Sequence, residues 1–303
     1  MRTEKMNWPE LDYAKGKETY ETLHLWSQIV GKIKLAQMPW INHSWHIALL
    51  VNTQGLTTGT LPAGNLYFQM DFNFIKHQLE ISTSNGEYAH ISLKDLSVAG
   101  FYHKVMVNLK EFGINVEINT TPNELVDPLP LDVDEVHCTY DSDQALKLHK
   151  ALLNVNAVFN QFRAEFIGKS SPSHFFWGSF DLAVTRFSGR TAPKHPGGVP
   201  NLPDWVAQEA YSHEVSSSGF WPGNEMVPFA AFYNYSYPEP NGFKETRINP
   251  DGNYYKVEMG EYLLPYADIQ KAEDPEALLL EFLHSTYNAA ADLANWDRNA
   301  LEK

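Results

Sequence analysis

The 303-residue sequence contains one cysteine, Cys138. A single thiol excludes an intramolecular disulfide and a metal site built from several cysteines. Basic residues are also few, since 23 Lys and Arg stand against 37 Asp and Glu and give a formal net charge of −14. This excess of negative charge repels phosphate backbones and anionic lipid headgroups, so the composition disfavours nucleic acid and membranes as partners.

Long apolar segments are absent as well. The N-terminal residues MRTEKMNWPELDYAK contain no hydrophobic stretch of the kind found in secretory signals. The longest apolar runs, Ile47–Val51 and Leu278–Leu280, are far shorter than the ~18 residues that a membrane-spanning helix needs. Together with the single thiol, these absences predict a cytoplasmic protein.

Several chemical signatures are missing. The sequence has no Walker A loop, no Rossmann glycine fingerprint, no G-x-S-x-G nucleophile turn and no H-E-x-x-H helix. These absences argue against several large enzyme classes but leave enzymes as such open. The residues specify no cofactor and no oligomeric state.

Two segments of the sequence resemble each other. His43–Pro62 and His174–Pro193 are both 20 residues long, open with His and aromatic residues, continue through an apolar stretch and close on Pro. Helical patterns precede and follow each copy, with strand-like stretches between. This order predicts an internal duplication in which the two segments occupy equivalent strands of two related α/β units.

Hydrophobic periodicity predicts four amphipathic helices, at Thr22–Ala36, Asp95–Phe112, after Asp141 and after Asp274. Asp141 and Asp274 are predicted N-caps, with Gln144 completing a capping box and Gly113 at the C′ position of the second helix. The predicted strands are Trp45–Val51, Asn65–Phe74, His77–Thr83, Glu87–Leu93, Phe175–Phe187, Phe229–Tyr237 and Tyr254–Leu264, with a type I′ turn at Asn85–Gly86. Short connections between consecutive strands imply antiparallel sheets flanked by amphipathic helices, so the predicted class is α+β.

Composition divides the chain into residues 1–120, an acidic, proline-rich linker at 121–140, and residues 141–303. The second unit carries an insertion at about 194–228, rich in Pro and Gly, which is long enough to serve as a lid. The linker is predicted to be an exposed, solvated loop. Cation chelation by Asp132, Asp134, Glu135 and His137 is the alternative, which the charge run disfavours.

Three clusters of polar residues are candidates for a site. The first surrounds Asp181, whose apolar neighbours predict a buried carboxylate that needs a partner such as Arg163 or Arg186. On one straight strand His174 and Asp181 would face opposite sides, unless a bulge at Gly178 intervenes. The second cluster holds His213 and Glu214 and continues into Ser216–Ser218, which are interpreted as a flexible loop, with a hydroxyl-rich anion-binding nest as the alternative.

The predicted catalytic residues are His174, Asp181, His213 and Glu214, and the predicted ligand-binding residues are Trp177, Arg186, Arg190 and Trp221. His43 and His46 form the third cluster and, with His174 and His213, are weak candidates for a metal site. Three functions follow from these clusters. The first is a protein that binds a small polar or anionic molecule in a pocket of aromatic, His and Arg side chains, with catalysis on that molecule left open. The others are a metal-assisted hydrolase or oxygenase and a non-catalytic interaction or structural protein.

Five segments carry a family resemblance: TLHLWSQIVGKIKLAQMPWINHSWH (Thr22–His46), FIGKSSPSHFFWGSFDLAVTRFSGR (Phe166–Arg190), EAYSHEVSSSGFWPG (Glu209–Gly223), YPEP (Tyr237–Pro240) and LLEFLHSTYNAAADLANWDR (Leu279–Arg298). With these segments the chain resembles a bacterial family classified as domain of unknown function 5996. The resemblance covers nearly the whole chain and implies a bacterial, cytoplasmic protein. It transfers no catalytic residue, cofactor or substrate.

Overall fold

In the computed structural model, which describes residues 6–303, one long helix precedes the first sheet. This helix, α1, spans Tyr13–Gln37 and is buried along most of its length. The first sheet consists of β1 (Leu50–Val51), β2 (Gly55–Thr57), β3 (Leu61–Ala63), β4 (Leu66–Asn73), β5 (Gln78–Thr83) and β6 (Tyr88–Ser92). Its order is β1-β2-β4-β5-β6 with β3 also paired to β4, and all pairs are antiparallel. Helix α2 (Val98–Glu111) then packs against α1 and β6.

The second half begins with a helix and builds a second antiparallel sheet. Its elements are α3 (Ser142–Ala164), β7 (His174–Phe176), β8 (Asp181–Thr191), α4 (Asp204–Ala210), β9 (His213–Trp221), β10 (Ala231–Tyr237), β11 (Tyr254–Lys256), β12 (Glu261–Pro265), α5 (Tyr266–Lys271), α6 (Pro275–Leu293) and α7 (Arg298–Leu301). The strand order is β11-β12-β10-β9-β8-β7. Two antiparallel sheets with flanking helices confirm the α+β class.

Residue parity separates the two faces of the second sheet. The register pairs Ala183 with Gly219 and Gly219 with Tyr233, so odd-numbered residues of β8, β9 and β10 share one face. Even-numbered residues share the other face, where α3 and α6 contact the strands. Helices α3 and α6 therefore cover only the even-numbered side of this sheet.

The predicted helix ends are largely confirmed. The side chain of Asp141 accepts hydrogen bonds from the backbone N–H of Asp143 and Gln144, and Asp274 accepts from Ala277 with Pro275 in the first turn. Gly113 follows α2 with a φ of 75°. The reciprocal half of the capping box is wrong, because the N–H of Asp141 donates to the Thr19 hydroxyl rather than to the side chain of Gln144.

The β5–β6 hairpin is confirmed, but its turn type is not. Gly86 has a φ of 93°, whereas Asn85 is absent from the residues with positive φ, so the type I′ prediction is wrong. The N–H of Gly86 donates to Thr83 O and the N–H of Thr83 to Glu87 O. This pattern fits a three-residue loop that ends in a left-handed glycine.

The predicted duplication is not confirmed. His43–Pro62 contains a 3₁₀ turn and three short strands, whereas His174–Pro193 forms one hairpin with a long second strand. The two segments instead pair with each other, since Leu49 and Phe175 exchange backbone hydrogen bonds of 2.8 Å in both directions. Buried residues from both halves also belong to one continuous hydrophobic core. The division into residues 1–120 and 141–303 stays a prediction.

The segment 121–140 is not uniformly exposed as expected. Leu131 is fully buried and Asp134 is 1 % exposed. The carboxylate of Asp134 accepts from the N–H groups of Val136 and His137 and contacts His137 Nδ1 at 2.7 Å. Its carbonyl accepts from Ala99 N in the first turn of α2. Asp134 therefore closes a local turn under α2 and is not a solvated chelator.

The structure also differs from the predicted strand Phe175–Phe187 and from the predicted insertion at about 194–228. The predicted strand Phe175–Phe187 is a hairpin, because residues 177–180 turn the chain between β7 and β8 and Phe180 has a φ of 57°. The stretch 194–228 is not one irregular insertion, because β9 is a central strand of the second sheet. Ser216–Ser218 thus lie in a buried strand and not in a flexible loop.

Of the helices between residues 6 and 303, none has the length and apolarity that crossing a membrane requires.

Candidate functional site

A cavity of about 840 Å³ lies on the odd-numbered face of the second sheet. Residues of α1, of the β7–β8 turn and of the segment 199–211, which includes α4, line this cavity. Most of the lining is aromatic or aliphatic. The rings belong to Tyr13, Tyr20, Trp45, Phe176, Phe180, Phe187, Tyr211, Trp221, Tyr233 and Tyr235. Part of the predicted insertion therefore does line a cavity, and strand β9, which runs through the predicted insertion, lines the same cavity at Val215, Ser217 and Trp221.

Asp181 begins β8 and lies at the floor of this cavity. It is 6 % exposed, and its two carboxylate oxygens accept hydrogen bonds from the hydroxyls of Ser179 and Tyr233. Burial raises the pKa of Asp181, while the two hydroxyl donors oppose that rise. The predicted partners Arg163 and Arg186 are therefore wrong, because neutral hydroxyls satisfy this carboxylate.

Glu124 places a second carboxyl group in the cavity. It comes from the segment 121–125, far from Asp181 in sequence, and it has a left-handed φ of 63°. Burial and the neighbouring Asp181 raise the pKa of Glu124 to about 7. Left-handed backbone at a residue other than Gly is strained, and such strain persists only where the surroundings fix it.

The surroundings of Glu124 do fix its backbone. Its N–H donates to Pro200 O at 2.8 Å. The side chain of Gln28 bonds both the N–H and the carbonyl of Asn123, at 2.7 and 2.9 Å. Buried Lys32 donates to Thr121 O at 2.9 Å and to Asn123 Oδ1. The segment 121–125 is thus held between α1 and the 199–203 loop, with the carboxyl group of Glu124 facing the cavity.

Glu261 supplies a third carboxyl group. It opens β12 on the same face as Tyr233 and Tyr235, because Asn234 pairs with Tyr262 and the parity continues across the strands. Burial and Asp181 raise the pKa of Glu261 to about 8. Burial also raises the pKa of Tyr235 to about 12 and that of Tyr233 well above its usual range. The hydroxyls therefore stay protonated and available as donors.

The charged side chains that line the cavity are mostly acidic. The lining includes the carboxylates Glu21 and Glu225 in addition to the three already named, and a single basic side chain, Lys17. Lys17 is engaged by Glu225 at 3.0 Å and by Glu21 at 3.9 Å. His24 also lines the cavity, and burial lowers its pKa to about 4, so it is neutral near pH 7. Within residues 6–303, no cation contacts the three deep carboxyl groups.

His43 and Ser44 form one end of the cavity. Both have left-handed φ values, 59° and 58°. The backbone N–H of His43 donates to both carboxylate oxygens of Glu209, its Nδ1 lies 2.9 Å from Ala210 O, and its Nε2 lies 2.8 Å from Lys169 Nζ. Both nitrogens of His43 are thus occupied. The hydroxyl of buried Ser44 has no partner in the part of the chain that the structure describes.

Of the predicted site residues, Asp181, Trp221 and His43 line this cavity, whereas His174, Trp177 and Arg186 do not. His174 and Asp181 share a face after all, because the hairpin pairs His174 with Ala183 and Phe176 with Asp181. The ring of His174 packs edge-on against Phe176 with centroids 4.6 Å apart. Burial lowers the pKa of His174 to about 3.

Trp177 and Arg186 make structural contacts outside the cavity. The indole N–H of Trp177 donates to Ile47 O at 3.0 Å, and its ring covers Gly31 of α1 so closely that a Cβ there would lie 2.1 Å away. Arg186 is five residues from Asp181, so it points to the helix-covered face. Its guanidinium lies 3.5 Å from the ring centroid of Phe162 and 4.4 Å from that of Tyr287.

Arg190, Glu214 and His213 lie elsewhere. Arg190 and Glu214 form an ion pair at 2.6 Å, and Arg190 also donates to Ala294 O at the end of α6. His213 faces the ring of His43 with centroids 6.1 Å apart, outside the lining. Ile41 N donates to Nδ1 of His46, and no partner among the described residues reaches Nε2. Residues 6–303 contain no group of three or more His, Cys, Asp or Glu placed to share a metal ion.

Sequence reasoning missed Glu124, Glu261 and the tyrosines of β10. The pattern YNYSY at 233–237 places alternate rings on one face of a strand, and that signal was available. Glu261 follows a Gly that ends a turn, which is an ordinary setting for a surface acid. Glu124 lies in an irregular acidic segment, and only the tertiary contacts of Gln28 and Lys32 bring it to the cavity.

The chain matches one protein family, and no activity is known for that family. No curated protein and no solved structure matches the chain. The model of one family, described as a family of unknown function (DUF5996), matches residues 8–303. This match covers α1, both sheets and every residue of the cavity lining. The chain belongs to the DUF5996 family.

Proposed function

We propose that the protein binds a small polar organic molecule in the cavity on the odd-numbered face of the second sheet. The observation that carries this proposal is the lining itself, in which aromatic walls surround three carboxyl groups, Asp181, Glu124 and Glu261. Ligand sites combine apolar walls with a few polar groups that fix orientation, and they have volumes of roughly 300–1,000 Å³. The cavity has about 840 Å³ and meets both criteria.

The polar groups of the cavity support binding over a purely structural role. Structural buried carboxylates are normally paired with a cation or with several donors. Asp181 has two hydroxyl donors, but no hydrogen-bond donor within residues 6–303 reaches the carboxyl groups of Glu124 and Glu261. The segment that contains the strained backbone of Glu124 is likewise held by Gln28 and Lys32 of α1, which donate to the carbonyls of Asn123 and Thr121. Both features are typical of a site that a ligand completes.

A screen of small polar molecules by thermal shift tests the proposal, with Trp221→Ala and Trp205→Ala as matched variants. Trp221 lines the cavity and is 8 % exposed, whereas Trp205 is 53 % exposed and lies outside the lining. A ligand that stabilises the wild type and Trp205→Ala but not folded Trp221→Ala supports the cavity. A screen without any stabilising compound, or stabilisation that survives in Trp221→Ala unchanged, contradicts it.

A second function, acid–base catalysis on the bound molecule, is favoured by the contrast between two carboxyl groups. Asp181 accepts two hydroxyl hydrogen bonds, which favour its ionised form, whereas Glu124 accepts none and has its pKa raised to about 7. Neighbouring carboxyl groups in unlike environments can divide the roles of base and acid. Mass spectrometry of ligand incubated with the wild type and with Glu124→Gln, both saturated, tests this function. Conversion by the wild type alone supports it, and equal conversion by both contradicts it.

The cytoplasmic location belongs to the same proposal. Cys138 is an exposed free thiol, and exposed thiols persist in reducing compartments. A reporter fusion followed by cell fractionation tests the location, and recovery with an exported fraction would contradict it.

A further inference from the structure

We infer that the ligand of the cavity carries a positively charged nitrogen, as an ammonium or guanidinium group, which the carboxyl groups of Asp181, Glu124 and Glu261 receive. This inference rests on the proposed binding function and specifies its ligand class. The three carboxyl groups line one cavity, and the single basic side chain of the lining, Lys17, is engaged by Glu225 at 3.0 Å.

The first argument is the missing counter-charge. A buried carboxylate is costly unless a cation or several donors compensate it. Glu124 and Glu261 are half-buried and have neither among residues 6–303, so desolvation and the charge of Asp181 hold both groups protonated near neutral pH. An ammonium or guanidinium group in the cavity would supply both the charge and the hydrogen-bond donors that these side chains lack.

The second argument is the aromatic wall. Tyr233 and Tyr235 are stacked with centroids 6.1 Å apart, and the ring of Trp221 lies 6.2 Å from that of Tyr233. Aromatic faces attract organic cations when water is excluded. An anion would meet the opposite situation, because Arg186 and Arg190 are engaged outside the cavity. The anionic ligand class expected from the sequence is therefore disfavoured.

Binding of a cation should release protons from carboxyl groups of the cavity. Glu124 and Glu261, with pKa values raised to about 7 and about 8, hold protons in the empty cavity near neutral pH. Asp181 also faces them, and burial raises its pKa while the hydroxyl donors Ser179 and Tyr233 oppose that rise. The remaining groups that face them keep one protonation state near neutral pH. The pKa values of His24 and His43 are lowered, those of Tyr211, Tyr233 and Tyr235 are raised, and Lys17 keeps its charge beside Glu21 and Glu225. A cation that binds must therefore displace protons from Glu124 and Glu261.

Calorimetry with charge-matched pairs of probes tests the inference. The cations are 1,4-diaminobutane, agmatine and choline. The uncharged counterparts are butane-1,4-diol for the first two and 3,3-dimethylbutan-1-ol for choline. We expect at least one cation to bind about tenfold or more tightly than its counterpart. We also expect it to release about one proton at pH 7, and to bind more tightly as the pH rises from 6 to 8.

Matched variants locate the effect. Glu124→Gln and Glu261→Gln should each weaken binding of that cation by about tenfold or more, whereas Glu87→Gln, in the exposed β5–β6 turn, should leave it unchanged. The inference is overturned if no cation binds more tightly than its uncharged counterpart while other polar ligands bind in the cavity. It is also overturned if binding releases no proton. If no molecule of any class binds, the proposed function itself fails, so the two failures are distinguishable.

Discussion

The carboxyl group of Glu124 lies directly against the backbone of Gly178. A Cβ built on Gly178 would lie 2.1 Å from Oε1 of Glu124, and the carbonyl of Gly178 is bonded by His24 Nε2 at 2.8 Å. The β7–β8 turn, α1 and the segment 121–125 therefore meet at this glycine. A side chain at position 178 and the observed position of Glu124 are mutually exclusive.

Gly178→Ala is therefore expected to displace Glu124. The carboxyl end of Glu124 is flexible and can move aside, so the cost in folding stability should not exceed the lower end of the ~1–3 kcal/mol that overpacking costs. Because the carboxyl group leaves its buried position, the fall of stability between pH 5 and pH 8 should also become shallower than in the wild type. Urea unfolding across that range measures both effects. Gly100→Ala in α2, where a Cβ meets the flexible end of Leu96, is the control, and an identical pH profile for both variants would contradict the prediction.

Glu124→Gln should stabilise the protein above neutral pH. The pKa of Glu124 is about 7 in the folded state, whereas that of an unfolded Glu is about 4.3. An acid with a raised folded pKa binds its proton more tightly when folded, so its contribution is complete below about pH 4 and is lost as the pH rises through 7. The variant should gain up to about 3 kcal/mol over the wild type at pH 8 and little at pH 4.5. Chemical denaturation at the two pH values checks this, and a gain of equal size at both would refute it.

Asp181→Asn and Asp181→Ala should differ in stability. Asparagine keeps an acceptor for the hydroxyl of Ser179 or Tyr233 and removes the buried charge, so we expect a change within about 1 kcal/mol. Alanine leaves both hydroxyls without a partner and should cost about 2–3 kcal/mol. Thermal melting at pH 7 distinguishes the two. Equal melting temperatures for wild type and Asp181→Ala would show that the hydroxyl contacts contribute nothing.

Lys32 and Lys34 provide a matched pair for the positioning of Glu124. Both are buried residues of α1 whose pKa burial lowers to about 8. Lys32 holds the segment 121–125, whereas Lys34 donates to Ala48 O at 2.6 Å. Lys32→Met and Lys34→Met should lose similar stability, about 1–3 kcal/mol each. Only Lys32→Met should weaken binding of the cation found by calorimetry, and a similar loss in Lys34→Met would remove the positioning role.

Arg186→Ala should destabilise the fold and spare the cavity. The substitution empties the space among Phe162, Phe166 and Tyr287, where the guanidinium now lies 3.5–4.9 Å from the ring centroids. We expect a loss of about 3 kcal/mol from the cavity that is created and the lost cation–π contacts. Ligand affinity measured below the melting temperature should equal that of the wild type. A tenfold weaker affinity would place Arg186 in the site after all.

Much of the fold could be predicted from the periodic segments of the sequence. Stripes such as the one from Leu148 to Phe162 predict amphipathic helices, and the caps Asp141 and Asp274 are chemically determined by neighbouring N–H groups. Strand β9 escaped prediction because its serines are polar. Their hydroxyls are satisfied only by neighbouring strands, as when Thr185 Oγ1 meets Ser217 Oγ at 2.9 Å. No local pattern encodes such partners.

The site was harder to predict than the fold. Asp181 stood out because a carboxylate between Phe180 and Leu182 indicates a buried strand position. Its expected partner was wrong for a reason present in the sequence, since an odd spacing places Arg186 on the opposite face of a strand. Glu124 could not be found this way, because its position depends on a left-handed backbone that residues of α1 and the 199–203 loop maintain.

Residues from both halves of the chain line the cavity. Helix α1 and Glu124 precede residue 141, whereas the carboxyl groups of Asp181 and Glu261 follow it. A recombinant fragment that starts at residue 141 would carry the sheet with an open trough on one side and two of the three acids. Fragment complementation, in which residues 1–140 are supplied as a separate polypeptide, would be needed to close that trough. The complete cavity is thus a property of the intact chain and of neither half.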